Sequence, residues 1–274
     1  MLGLSKDSSD DLLQSCYTQT SMTRTIKTPA LVLKSRPVGE NHRGLSMLVK
    51  GEGLLHPFAY GAQGRRSSMR ATAAPYNRGI AHLHYDGSKD RWRLTGFDAE
   101  ETHDGLRENL DRFYLASVWA EILLNSHGGG VDSEALFQHS IQAFMRLSQS
   151  SGEVGRRLAL AFYWGYLNLE GVSPNLQYCS KCGKILPCGR SDLPSYYYDD
   201  GSFIGGGCHH GAGYEVSEGV RKWLMSVERE GWDSAERIGL GLSVLRQAES
   251  WLLFMVQNFL ERPLKSLRAS PFPR

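Results

Sequence analysis

Three cysteines are spaced for metal chemistry. Cys179-Ser-Lys-Cys182-Gly183 sets two thiols across a tight turn, and Cys208 follows in the run Gly205-Gly206-Gly207-Cys208-His209-His210. A Cys-x-x-Cys turn with glycine directly after it lets both thiolates converge on one ion while backbone N–H groups bond the sulfurs, which is one half of a structural zinc site. The second half holds one cysteine and two histidines, with Gly211 where a second Cys-x-x-Cys would end. The expected ligands are Cys179, Cys182, Cys208 and His210, with His209 or Cys188 as substitutes for the fourth, and the expected cofactor is one structural Zn2+. Two other readings of the cysteines stand beside this one: a remnant that has lost its metal, and a redox pair. No thioredoxin-like βαβ pattern surrounds them, which disfavours the redox reading.

A second group is cationic. Gly61-Ala-Gln-Gly64-Arg65-Arg66-Ser67-Ser68-Met69-Arg70 lacks the Gly-Lys-[Ser/Thr] ending of a P-loop. Its arginines and serines suit phosphate contacts, because the guanidinium fork binds phosphate bidentately and hydroxyls add donors. A solvated basic loop is the bland alternative. The wider charge distribution favours binding. Arg24 to Arg78 holds ten basic residues against two acidic ones, a local charge of +8, while the whole chain is only +2. A basic front on a mildly acidic body points to a polyanion. The expected nucleic-acid contacts are Lys34, Arg36, Arg43, Arg65, Arg66 and Arg70. Tyr60 and Trp92 are candidates for base stacking and equally for the core.

The chemistry of an enzyme has no carriers here. No H-E-x-x-H, G-x-S-x-G or G-x-G-x-x-G run appears, and Pro187-Cys188 lacks the second cysteine of a zinc-deaminase site. His82 and His84 share one strand face and are expected at the surface rather than on a metal.

These groups need elements to position them. Short apolar runs at Ala30–Leu33, Leu45–Val49, Leu54–Tyr60, Ile80–Tyr85 and Arg91–Phe97, several alternating with period two, predict five strands punctuated by glycines, with Asp86-Gly87 as a hairpin turn. Five short strands suit an oligonucleotide-binding (OB) barrel. From residue 105 the period becomes helical. One helix carries Leu106, Leu110, Phe113 and Leu124; Asp132 caps a second; a third, Glu153 to Leu169, is apolar nearly all round and central. Residues 175–214 read as loop. Ser217 caps a further helix, and a last one runs from Ala235 to Leu260. The expected class is α+β and multidomain: residues 1–23 as a disordered leader, 24–102 as the OB barrel, and 103–274 as an all-α domain with the cysteine knuckle inserted at about 175–214. Met22 competes with Met1 as the natural start. The leader has neither the basic start nor the apolar stretch of a signal peptide, and no apolar run is long enough for a membrane helix, so a cytoplasmic place is expected.

Several of these runs resemble the RecO family of bacterial recombination mediators. They are Thr28-Pro-Ala-Leu-Val-Leu-Lys34-Ser-Arg36-Pro-Val-Gly-Glu40-Asn41, the Gly61–Ser67 loop, Asp111 through Glu121, Leu136-Phe137, Gly171-x-x-Pro174-x-Leu176-x-x-Cys179-x-x-Cys182-Gly183, and Tyr197 onward to Cys208. The likeness spans about residues 26–260. One departure is Cys208-His209-His210-Gly211, where the family has its last Cys-x-x-Cys. The resemblance implies an OB barrel, a helical domain and often a zinc knuckle, in a protein that binds single- and double-stranded DNA and anneals complementary strands. It implies contact with the C-terminal tail of single-stranded DNA-binding protein (SSB), and loading of RecA together with RecR, without nucleotide hydrolysis, on the nucleoid. The rival functions are an OB-type RNA-binding protein and a zinc enzyme such as a deaminase.

Overall fold

A computed structural model describes residues 23–64, 67, 69–126, 132–186, 194–208 and 213–272. Almost all of the leader therefore lies outside the described residues. The run Ala30–Leu33 is continuously apolar because strand β1 (Arg24–Val38) is buried on both faces there. Ala30 and Val32 point into a barrel, while Leu31 and Leu33 point out of it and join the core of the helical half. β1 pairs with β5 (Arg78–Asp86) from Arg24 to Leu31 and with β2 (His42–Val49) from Ala30 to Val38, with a bulge in the latter pairing between Val32 and Lys34. β3 (Gly53–Leu55) folds back to pair antiparallel with the end of β2, β4 (Phe58–Ala59) pairs with the start of β2, α1 (Met69–Thr72) is one short turn, and β6 (Arg91–Glu101) completes the set. β4 and β6 pair in parallel. The circuit β1-β5-β6-β4-β2-β1 thereby closes into a five-stranded, OB-like barrel.

Two details differ from expectation. The run Leu54–Tyr60 is two strands, because Pro57 has no N–H to give to a ladder and the chain bends at His56-Pro57. The β5–β6 connection is longer than a two-residue turn: Asp86 accepts from the N–H and hydroxyl of Ser88 at 3.2 and 2.6 Å, and Asp90 rather than Gly87 takes the left-handed conformation, at φ 47°.

The helical half opens with α2 (Leu110–Asn125), capped by Asn109, whose side chain accepts from the Arg112 N–H at 3.0 Å. Leu106 sits just ahead, in a separate 3-10 turn rather than on this helix. Asp132 caps α3 (Ser133–Gln149) by accepting from the N–H groups of Glu134 and Ala135. α4 (Glu153–Leu169) is central as its sequence predicts and packs against α2 and α3 on one side. On the other side lie α5 (Glu218–Glu230), α6 (Trp232–Arg237) and α7 (Leu242–Phe259). The expected single last helix is thus two. The break falls at Ile238-Gly-Leu-Gly241, where two glycines remove the helical preference and Gly241 takes the N-cap position of α7. Ser217 precedes α5, but its hydroxyl makes no capping bond.

The segment expected as loop holds a three-stranded sheet: β7 (Ser195–Tyr197), β8 (Ser202–Ile204) and β9 (Tyr214–Glu215). It is held by packing as well as by any metal. The Tyr196 and Phe203 rings lie 5.5 and 5.6 Å from that of Trp251 on α7.

Barrel and helices meet through Leu31, Leu33, Leu48 and Tyr76, all members of the helical core. Tyr76 is held at φ 72°, an uncommon conformation for an aromatic residue. Four partners hold it there. Its N–H donates to Val32 at 2.6 Å, its carbonyl accepts from His103 Nδ1 at 2.7 Å, its hydroxyl meets Ser117 at 2.9 Å, and its ring lies 5.6 Å from that of Phe144.

Candidate nucleic-acid interface and cysteine cluster

Residues directly opposite one another in a sheet share a face. Following the pairing around the barrel from Arg36 gives Gly44 on β2, Phe58 on β4, Arg93 on β6, His84 on β5 and Thr25 on β1. The core residues Leu45 and Ala59 have the opposite parity, so this row lies on the barrel exterior. Its middle is aromatic. The rings of His42, Phe58 and Tyr60 pack within 4.6 to 5.5 Å of one another. The Arg93 guanidinium lies 5.3 Å from the centre of the Tyr60 ring and is fixed by the Asp86 carboxylate. Tyr60 is 43% exposed. On the other flank the exposed Arg36 lies along β2, where a Cβ on Gly44 would meet its Nε at 3.3 Å. Glycine at 44 therefore makes room for the Arg36 side chain to pass over the sheet. An aromatic patch between two guanidinium groups can stack on bases while its edges meet phosphates.

The six expected contacts fare differently. Lys34 and Arg36 are exposed two residues apart on β1. Arg43 has the same parity as Leu45 and Met47, and turns toward the end of the barrel, where its Nη1 reaches the Arg70 carbonyl at a long 3.5 Å. It is half-buried. Arg70 is exposed on α1, and Arg65 and Arg66 lie outside the described residues. Of the two aromatics, Tyr60 is outside and Trp92 packs against the barrel core. His42, Phe58 and Arg93 were absent from the expected set. His82 and His84 are occupied with Asp98 and Thr25, at 2.8 and 3.1 Å.

The knuckle is a small hairpin. Leu186 N–H donates to Gln177 and Cys179 N–H to Lys184, while Gly183 turns the chain at φ 70°. Ser180 N–H donates to Phe203 on β8 and the Gly205 N–H to Cys179 Sγ at 3.4 Å, which brings the Gly205–Cys208 turn over the hairpin. The sulfurs of Cys179, Cys182 and Cys208 all lie within 4.8 Å of one another. Burial pushes the Cys179 thiol up, but the N–H groups of Gly205, Cys182 and Lys181 outweigh it and bring it down to about 7. Cys208 is pushed up to about 11, first by its hydrogen bond to Cys182 and then by burial and the neighbouring sulfur charges. Three converging thiolates repel one another, and a bound cation removes that cost. The donor set therefore fits a metal ion. His210, His209 and Cys188 lie outside the described residues.

No helix among the described residues is long and apolar enough to cross a membrane. Residues 22–95 match the family described as Recombination protein O N terminal, and residues 107–268 match Recombination protein O C terminal. The DNA repair protein RecO of Heliobacterium modesticaldum is 30% identical over 190 residues, covering 68% of this chain and 67% of that protein. The protein of the same name from Pelotomaculum thermopropionicum is 28% identical over 247 residues, 88% and 91% of the two chains. That of Synechococcus elongatus is 26% identical over 255 residues, 89% and 94%. All three are named as DNA repair proteins.

Proposed function

Because this chain belongs to the RecO family of DNA repair proteins, we propose that it is a recombination mediator that works by binding and annealing DNA. In this reading it acts with RecR to load RecA on single strands coated by SSB, whose C-terminal tail it engages, at the nucleoid. One observation supports the DNA reading most: the exterior row in which His42, Phe58 and Tyr60 lie between Arg36 and Arg93. The mechanism is binding without bond chemistry. Guanidinium groups replace counterions on phosphates, and the rings offer stacking faces to unpaired bases. The unit that binds is residues 24–102, and residues 103–274 are the body, with the knuckle inserted at about 175–214. The exposed Lys34 and Arg70 would add to this basic surface, and Arg65 and Arg66 are proposed as further phosphate contacts on the strength of the sequence.

Cys179, Cys182 and Cys208 would hold zinc, with His210 as fourth ligand. When bound, the ion neutralises the thiolates and ties the hairpin to the Gly205–Cys208 turn. The Gly205 N–H orients Cys179 for this by bonding its sulfur. Metal analysis of protein prepared without chelator should find about one zinc per chain, and none found would reject the zinc site.

The function is tested by fluorescence anisotropy with a single-stranded oligonucleotide at two salt concentrations. Arg36→Ala should weaken binding and lower the salt slope by about 0.7, the value of one phosphate contact on a single strand. Unchanged affinity and slope would reject the row as the interface. Tighter binding of RNA than of DNA in competition would favour an RNA-binding protein instead.

A further inference from the structure

The barrel and the helical half leave a cleft of about 470 Å³ where β1 passes α2 and the segment after α7. Its floor is apolar, formed by Leu33, Tyr76 and Leu124. Its rim is cationic: Lys34 from the barrel, and Arg262 and Lys265 from the C-terminal segment. All three are exposed, and among the described residues none of them forms an ion pair. Arg262 Nη1 donates to a neutral group, the Asn125 carboxamide oxygen, at 2.8 Å. The one carboxylate in the cleft, Glu121, is engaged by backbone. Its two oxygens accept from the N–H groups of Lys265 and Ser266 at 2.8 and 2.7 Å. Glu121 therefore folds the C-terminal segment across α2 and sets Arg262 and Lys265 at the rim. Three cations against one carboxylate leave a positive concave site, and low-dielectric walls focus its field.

The position of the cleft narrows its ligand. Lys34 lies two residues before Arg36 on the same exposed face of β1, or roughly 7 Å away at strand rise. The cleft thus begins where the exterior row of the barrel ends. We propose that it is a second phosphate-binding site, which takes the phosphodiester backbone of a strand running off the barrel and carries it onto the helical half. The inference rests on the barrel reading, and it adds that both halves grip one strand. An acidic peptide fits the charge equally well, but nothing continuous with the row calls for one.

Salt titrations on the full chain test it, with oligonucleotides of about 8 and about 25 nucleotides, the first within the footprint of one OB barrel and the second beyond it. The variants are Arg262→Gln with Lys265→Gln, and Arg36→Gln as a barrel control. The double variant should lower the salt slope on the long strand by about 1.4, two contacts at 0.7 each, and leave the short strand unchanged. Lys34→Gln, on the opposite wall, should lower it by about 0.7 on the long strand. This gives an independent reading should the double variant fail to fold. An unchanged long-strand slope for both variants, with Arg36→Gln still effective, would overturn the cleft while leaving the barrel reading intact. If Arg36→Gln is silent and the cleft variants are effective, the barrel reading fails and the cleft stands. A Glu/Asp-rich peptide whose binding needs Arg262 and Lys265, together with an unchanged DNA slope, would overturn the proposal in favour of a protein partner.

Discussion

The two halves of this molecule place their aromatic residues in opposite ways. The helical half buries them: Trp119, Trp164, Trp251, Tyr166, Phe144, Phe162 and Phe203 are its largest fully buried side chains. The barrel interior is filled largely by small and aliphatic groups, among them Ala30, Ala59, Ala62, Ala73, Ala81, Met47, Leu83 and Leu94, with Phe97. Its rings at 42, 58 and 60 lie outside. A barrel that needs little volume to fill its interior can leave its rings free to meet a ligand. The helical half has the deep core and holds the barrel through Leu31, Leu33, Leu48 and Tyr76. Truncating a ring should therefore cost stability in one half and affinity in the other.

The largest expected effect is on the helical side. Trp119 is fully buried, stacked on Phe162 at 4.7 Å and edge-on to Phe144 at 5.5 Å. Trp119→Ala should cost about 3–5 kcal/mol in denaturant unfolding. Tyr60→Ala, on the open face, should stay within about 0.5 kcal/mol. Similar losses for both would erase the contrast.

The second effect concerns pH. His139 lies between the rings of Phe162 and Trp232, at 5.3 and 4.9 Å, and its Nε2 meets the Phe162 carbonyl at 3.1 Å. Burial brings its imidazole down to about 4 from an ordinary 6.5, against the opposing pull of that carbonyl. Above 6.5 neither folded nor unfolded chain carries the proton, and this group has no effect. As pH falls from 6.5 to 4 the unfolded chain takes up a proton that the folded one refuses, so stability drops, by at most about 3 kcal/mol. His139→Gln should flatten the stability profile over that interval, and a profile identical to wild type would contradict the assignment.

The smallest effect is on binding. Tyr60→Ala should cost about 1–3 kcal/mol of affinity for a single strand, the value of one stacked base. No loss would mean that the exposed rings serve the barrel rather than a ligand.

Much of this arrangement was legible in the sequence where periodicity is strong. α4 reads as apolar all round because it is packed on both sides, and Asp132 reads as a cap because its carboxylate bonds the first turn. By the alternation of Leu45, Met47 and Val49, Arg43 falls on the parity opposite to that of the exterior row. Other signals were local and weak. Tyr198-Asp-Asp-Gly201 between two aromatic runs marks a hairpin, with Gly201 at φ 59°, yet the strands around it are three residues each. The row on the barrel had no such signal. His42, Phe58 and Arg93 come together only when β4 pairs in parallel with β6, a contact that no spacing along the chain encodes. The cleft is harder still, since Lys34 and Lys265 meet only after both halves dock.

The central claim is that nucleic acid lies on the exterior row of the barrel. Hydrogen exchange of the full chain, free and saturated with a single-stranded oligonucleotide, tests it most directly. The account predicts slowed exchange at residues 36–44, 58–60 and 91–93, with the core of α4 unchanged. Protection confined to α5–α7, with those barrel segments exchanging as in the free protein, would contradict it.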